Sequence, residues 1–335
     1  MNTGLAEHRR ARSLTLFLIA GALVAIAAVT LAIESRSLDP NNASGPVVAG
    51  LAESIGGAQR ITIISAEATY RIERTQQGWA MRDRDDYPVL SSRLAQLTEG
   101  LETLRYQRRM TNDPSKHERL GVTDPREGGR GIVVQVEDGR GALLVNLILG
   151  VEPSGAYVRR PDDPQTWAVE SALPPLRDVA AWMDLQPLTI SADTLARVEI
   201  MPPEGRAYIL AREAPDQPWR IVAPALASLA QSTVTATAER LTQLSPVDVR
   251  TAPAIQGEAR ARVHATTFDG VVIEAELIPS DERIWVKLVA RAGGLEQEAS
   301  ALEVNNRSAA WAYALSELEV QALAPPLARL VPGAE

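Results

Sequence analysis

Hydrophobic and polar positions divide the chain into three regimes. The first is an unbroken apolar run, Leu14 to Ile33 (LTLFLIAGALVAIAAVTLAI), without a charge. At 1.5 Å rise per residue, about twenty such residues span a hydrocarbon core of about 30 Å. The second, from Ser35 to Gly57, is polar or small and includes Pro40, Asn41, Asn42, Gly45 and Pro46, as a tether would. The third fills the rest of the chain and alternates between a period of two and a period near 3.6, the signatures of strand and helix.

This third regime is written twice. Ile61-Thr62-Ile63 and the alternating run Thr69 to Arg74 precede Gly78-Trp79; Val198-Glu199-Ile200 and the run Ala207 to Arg212 precede Pro218-Trp219, with Tyr70 matching Tyr208. Leu90, Leu94, Leu97, Leu101 and Leu104 then recur at spacings of four and three, one face of a helix capped by Ser91 or Ser92. Val234, Ala238, Leu241 and Leu244 keep the same rhythm. Next come paired strand patterns turning at Asp138-Gly139 and at Asp269-Gly270, and Asp-Gly between apolar runs predicts a hairpin. Tyr157-Val158-Arg159 matches Trp285-Val286-Lys287. Ser171-Ala172-Leu173 with Ala180-Ala181-Trp182 matches Ser300-Ala301-Leu302 with Ala309-Ala310-Trp311.

The expected fold class is α+β: a tandem repeat of an antiparallel sheet with helices on one face, preceded by a single transmembrane helix. The expected divisions are a cytoplasmic tail (1–13), the transmembrane helix (14–33), a tether (34–58) and two repeat copies (59–188 and 194–331).

Charge sets an expected topology. Arg9, Arg10 and Arg12 precede the apolar run, and Glu34, Arg36 and Asp39 follow it. The positive-inside rule then leaves the N-terminus in the cytoplasm of a bacterial cell, with the run in the inner membrane and the bulk of the chain periplasmic. The alternative, a cleavable signal, lacks an Ala-x-Ala site and has too long an apolar core. With no Cys to acylate, a lipoprotein signal is excluded. The net charge of −8 argues against nucleic acid as a partner.

The absence of Cys also removes disulfides, thiolate nucleophiles and Cys-based zinc sites. Of three His, His8 precedes the apolar run, His117 lies in a charged loop and His264 in a strand pattern. No Gly-x-Ser-x-Gly elbow, Ser-x-x-Lys or His-Glu-x-x-His motif occurs. Asp83-Arg84-Asp85-Asp86 lacks the Gly and distal Glu of a calcium loop and reads as a solvated hairpin end. Gly128-Gly129-Arg130-Gly131 precedes a strand, where phosphate loops follow one, and reads as a flexible turn. Arg105, Arg108 and Arg109 follow the Leu-rich helix and suit its C-terminal dipole. Trp79/Trp219 and Trp182/Trp311 read as matched core residues, with Trp167 and Trp285 left unpaired. No catalytic, cofactor-binding or metal-binding residue is assigned, and no cofactor is expected.

One segment carries a resemblance. Leu120-Gly121-Val122-Thr123-Asp124-Pro125 resembles the Gly-Leu-x-x-Pro signature of the bacterial domain-of-unknown-function 4340 family. The apolar N-terminal run, the Gly-Trp strand and the Leu-rich close are similar too. Glu258-Ala259-Arg260 stands where a second copy of the signature would be. The resemblance implies no activity and no catalytic residues. It implies association with ABC-type transport components, since some relatives are encoded beside them. The expected function is therefore a non-enzymatic, membrane-anchored periplasmic binding or scaffolding protein, accessory to an ABC-type envelope transporter. Its expected partners are the membrane, through Leu14–Ile33, and transporter subunits or other envelope proteins. The alternative is an envelope hydrolase acting on carbohydrate or peptide between the two copies.

Overall fold

The computed structural model describes residues 45–153, 155–170, 172–224 and 230–330. The apolar run 14–33 and the tail before it lie outside these residues. Among the described residues no helix is long and apolar enough to cross a membrane. The chain divides into two units, 1–74 with 91–177, and 75–90 with 178–335.

The first half of the chain supplies β1 (Gly45–Pro46), α1 (Leu51–Ser54), β2 (Ala58–Ile64), β3 (Thr69–Thr75), β4 (Gly78–Met81) and β5 (Tyr87–Pro88). It continues through α2 (Ser91–Glu102), β6 (Arg105–Arg109), β7 (Ile132–Asp138), β8 (Leu143–Glu152), β9 (Gly155–Arg159) and β10 (Trp167–Glu170). In the first unit the strands lie in the order β1-β6-β10-β9-β8-β7-β2-β3. The Leu spacing forms α2, and Leu97 and Leu101 are its buried face. The Asp138-Gly139 signal does make a hairpin, in which the Asp138 carboxylate accepts from the Arg140 and Ala142 amides (2.8 and 2.9 Å).

The second half supplies β11 (Leu195–Met201), β12 (Tyr208–Ala211), β13 (Arg220–Ala223), α3 (Gln231–Glu239), β14 (Asp248–Thr251), β15 (Ala261–Thr267) and β16 (Val271–Ser280). Then follow β17 (Arg283–Ala292), α4 (Glu298–Ser308), β18 (Trp311–Leu315) and α5 (Glu317–Leu323). Their sheet runs β13-β12-β11-β15-β16-β17-β18-β14. From β6 and from β14 inward, strands of like place in the chain occupy like places in the sheet.

The expected α+β class with helices on one face is overturned. Among the described residues the fold is two largely antiparallel sheets with few, short helices, the longest of them α2 at 12 residues. The sequence explains the shortfall. Pro174 and Pro175 bar a helix after β10, since proline lacks the amide donor and clashes with the preceding turn. Only a single 3₁₀ turn forms at Ala180–Trp182. Thr233, Val234, Thr235 and Thr237 weaken α3 through their stiff β-branched side chains, and the chain tightens into a 3₁₀ turn at Arg240–Gln243.

Two local readings also change. Trp311 opens β18 opposite Thr251, the last residue of β14; Trp167 opens β10 opposite Arg109, the last residue of β6. Place in the fold therefore matches Trp311 with Trp167, not with Trp182. Asp83–Asp86 does end a hairpin, the one between β4 and β5, but Asp83, Arg84 and Asp85 are half-buried rather than solvated. Within the second unit Arg84 pairs with Asp248, which also takes Arg283 at 2.8 Å. The Asp85 carboxylate accepts from the Thr251 amide at 2.8 Å and hydroxyl at 3.1 Å. Tyr87 then lies edge-on to Trp311, ring centroids 4.7 Å apart.

Tyr70 and Tyr208, each 1% exposed, anchor the segments that close the two sheets. Tyr70 donates its hydroxyl to the Leu176 carbonyl and Tyr208 to the Pro325 carbonyl, both at 2.8 Å. The acceptors belong to Leu173-Pro174-Pro175-Leu176 and Ala324-Pro325-Pro326-Leu327, a second matched pair in the sequence. Burial pushes the Tyr208 phenol up, so it stays a donor at any physiological pH. Tyr70→Phe and Tyr208→Phe should each cost about 1–2 kcal/mol, because a buried carbonyl loses its partner. Urea unfolding followed by Trp fluorescence measures this; a loss confined to one variant would show that the two latches are not equivalent.

Candidate functional site

The signature segment lies in the long connection between β6 and β7, which folds onto one face of the first sheet. It is built from three 3₁₀ turns, Pro114–Lys116, Glu118–Leu120 and Pro125–Glu127. Asp113 and Asp124 each precede a Pro and cap the turn that follows by accepting from the amide two residues on (3.1 and 2.9 Å). Gly121 ends the second turn at φ 63°, a conformation that disfavours any side chain.

Two close approaches seat this connection. A Cβ on Gly150 of β8 would lie 2.0 Å from the Leu120 carbonyl oxygen. A Cβ on Gly129 or Gly131 would lie 2.5 Å from the Thr123 main chain. Gly129 to Gly131 is therefore tightly fitted chain, not the flexible turn the composition suggests, and only Gly128 stands in open space. Val122 is fully buried and packs with Val133, Ile148 and Tyr157.

The result is a cleft of about 510 Å³ lined by His117, Asp124, Glu127, Arg130, Arg159 and Asp162 among others. Most of its chemistry is already engaged. His117 is 5% exposed and its Nε2 lies 2.8 Å from the Pro164 carbonyl, which can only accept, so Nε2 carries the proton. Arg159 donates from Nε to the Val122 carbonyl (2.8 Å) and from Nη1 to the Arg160 and Pro161 carbonyls (3.1 Å each). Arg130 pairs with Glu152 at 2.6 Å. The Arg126 guanidinium engages both Asp124 oxygens and holds that carboxyl below the usual range, against the burial that raises it. Glu127 and Asp162 remain exposed at the rim. Such a lining suits recognition of a polar or cationic segment.

A second cleft, of about 520 Å³, lies in the other unit among Arg260, Arg283, Ile284, Val320 and Arg329. The comparison with known families separates the two. The family described as Domain of unknown function (DUF4340) matches residues 79–260, more than half of the chain. The chain belongs to this family. Every residue of the DUF4340 signature cleft falls inside the match, whereas the second cleft is built mostly from residues 279–329, beyond it. No curated protein and no solved structure matches the chain.

The other residues singled out in the sequence are dispersed. His264 sits in β15, opposite Glu199 and Glu274 on the neighbouring strands. Trp182 and Trp219 are buried, and Trp285 is buried with its indole N–H donating to the Ser280 carbonyl at 3.2 Å. Trp79 is half-buried in β4. Arg105, Arg108 and Arg109 belong to strand β6 rather than to a helix terminus. The seating role of Gly150 was missed, because its partner is thirty residues away in sequence; a glycine inside an otherwise apolar strand was the available signal.

Two outcomes follow. Gly150→Ala should lose about 1–3 kcal/mol through overpacking, with faster hydrogen exchange across 111–131 and unchanged exchange in β15–β17. Asp124 has a folded pKa below its unfolded value of ~3.9, so its contribution is complete above that value and is lost as pH falls through the lowered one. Thermal melts should show Asp124→Asn less stable than the parent at pH ~6, with the gap narrowing below pH ~4.

Proposed function

We propose that this DUF4340 protein is a membrane-anchored binding or scaffolding component of the bacterial envelope, held in the inner membrane by Leu14–Ile33, with its sheets in the periplasm and its signature cleft as the docking site for a partner. The observation that carries the reading is the state of that cleft. Its His, its half-buried Arg159 and its least exposed carboxylate are each committed to bonds that hold the connection in shape, while Glu118, Glu127 and Asp162 stand exposed. General acid–base work needs a group free to exchange a proton with a substrate; recognition needs a fixed surface, which these bonds provide. The anchor raises the effective concentration of that surface for other envelope proteins. An ABC-type transporter is the proposed partner, on the association that the family resemblance carries.

Photo-crosslinking from position 127 in the intact membranes tests this, with Leu295, an exposed residue of the other unit, as control. A discrete envelope-protein adduct from 127, absent from 295 and lost in Gly150→Ala, is expected. The same adducts from both positions, or none from 127, would sink the reading.

A further inference from the structure

We propose that the β6 end of the first sheet rests on anionic phospholipid headgroups. The proposal rests on the membrane-anchor reading. β1 is the first described segment after the apolar run, and it pairs directly with β6, Gly45 opposite Tyr106 and Pro46 opposite Arg105. Residues 34–44 are all that separate Ile33 from this pairing. Eleven residues reach at most about 40 Å even when fully extended, so an anchored chain keeps β6 close to the bilayer surface.

What β6 presents suits that surface. Arg105, Arg108 and Arg109 are exposed on it, and exposed Arg160 reaches back to the Val47 carbonyl at 3.4 Å. Guanidinium groups recognise phosphate through paired, planar donors. Half-buried Tyr106 and Trp167 stack at 4.9 Å between centroids, tilted by 49°. Tyr and Trp are the residues that favour the headgroup level. The acids in the same register are Glu170, opposite Arg105, and Asp162 and Asp163 in the turn between β9 and β10. Glu170 accepts from Gln107 at 3.3 Å, and Asp163 accepts from the Gln165 amide at 2.8 Å. In a chain of net charge −8, this is a local reversal of sign. β1 covers only Arg105 and Tyr106, and the pairing of β6 with β10 shifts register between Ala168 and Val169. Such an irregularity discourages another strand from adding to the edge and leaves it available to a surface instead.

The chain has no Cys, so Gln107→Cys gives a single labelling site for a nitroxide. The full chain is reconstituted in phosphatidylcholine vesicles with and without phosphatidylglycerol, and collisions with nickel chelated to lipid headgroups are read at 107 and at a Leu295→Cys control. Collisions at 107 should exceed those at 295 by about threefold or more with phosphatidylglycerol present. The excess should vanish in ~1 M salt, where the Debye length falls to about 3 Å, and in Arg105→Gln/Arg108→Gln/Arg109→Gln. Equal collisions at both sites in chains that float with the vesicles would overturn the proposal and leave the anchor standing. Chains that do not float would overturn both. Displacement of the excess by a single-stranded oligonucleotide at matched ionic strength would mark β6 as a nucleic-acid surface and overturn the lipid assignment.

Discussion

A carbonyl oxygen standing where a side chain would otherwise begin fixes the signature connection to its sheet. The Leu120 oxygen sits 2.0 Å from the position of a Cβ on Gly150, so no residue but glycine admits the connection at that depth. Everything else in the first cleft follows from this seat. Val122 can bury against Ile148, Arg159 can reach the Val122 carbonyl, and the Asp-Pro cap at Asp124 is held over the cleft. The other sheet shows the same site filled. Counting back from the hairpin turns, Gly150 faces Tyr157 and Ile278 faces Trp285. Ile278, 3% exposed, packs with Ile255, Trp285 and partly buried Ala259, from the shorter connection that replaces the signature there. Packing is dense in protein interiors, so glycine plus a long connection and isoleucine plus a short one are two solutions to one volume.

The parts of the fold legible in the sequence were those set by short-range physics. Strand alternation, the Leu rhythm of α2 and the Asp-Gly turns each depend on neighbours within a few residues. Even there the detail moved: in the first hairpin it is Gly141, at φ 79°, that takes the left-handed conformation, not Gly139. The matched Tyr70 and Tyr208 were visible, but their acceptors were not, because Leu176 and Pro325 lie more than a hundred residues away. The closing helix expected in the first copy and the Trp182/Trp311 match failed for one reason, whereas the second copy does close on a helix, Glu298–Ser308. Similar composition was followed past the point where Pro174 and Pro175 had already redirected the chain.

The candidate site divides in the same way. Leu120–Pro125 announced itself as a motif, and its Asp-Pro cap is a local device that a sequence can display. The cleft around it was invisible, since His117 meets Pro164 and Arg130 meets Glu152 only after β8 and β9 have folded back. Acidic Asp83–Asp86 misled in the opposite direction. Its charges looked solvated because the partners that neutralise them, Asp248 for Arg84 and Arg250 for Asp85, are supplied by β14.

These commitments bear on what such a site does. A buried polar group that satisfies its bonds internally rigidifies its surroundings, and removing it costs more than the bond itself contributes. In the signature cleft the interior polar groups are spent in this way, and charge stands exposed at the rim, on Glu118, Glu127 and Asp162. Rim charges tune the encounter with a partner rather than chemistry at a bond. On the docking reading proposed above, a cleft with a rigid floor and a charged edge already has its shape when a partner arrives, which lowers the ordering cost of binding. In this chain the signature segment builds a surface from an αL glycine, Gly121, an Asp-Pro cap, Asp124–Pro125, and a glycine in the strand beneath, Gly150. Each of the three serves backbone geometry in this chain: a positive φ, an acceptor for a turn amide, and room for a carbonyl.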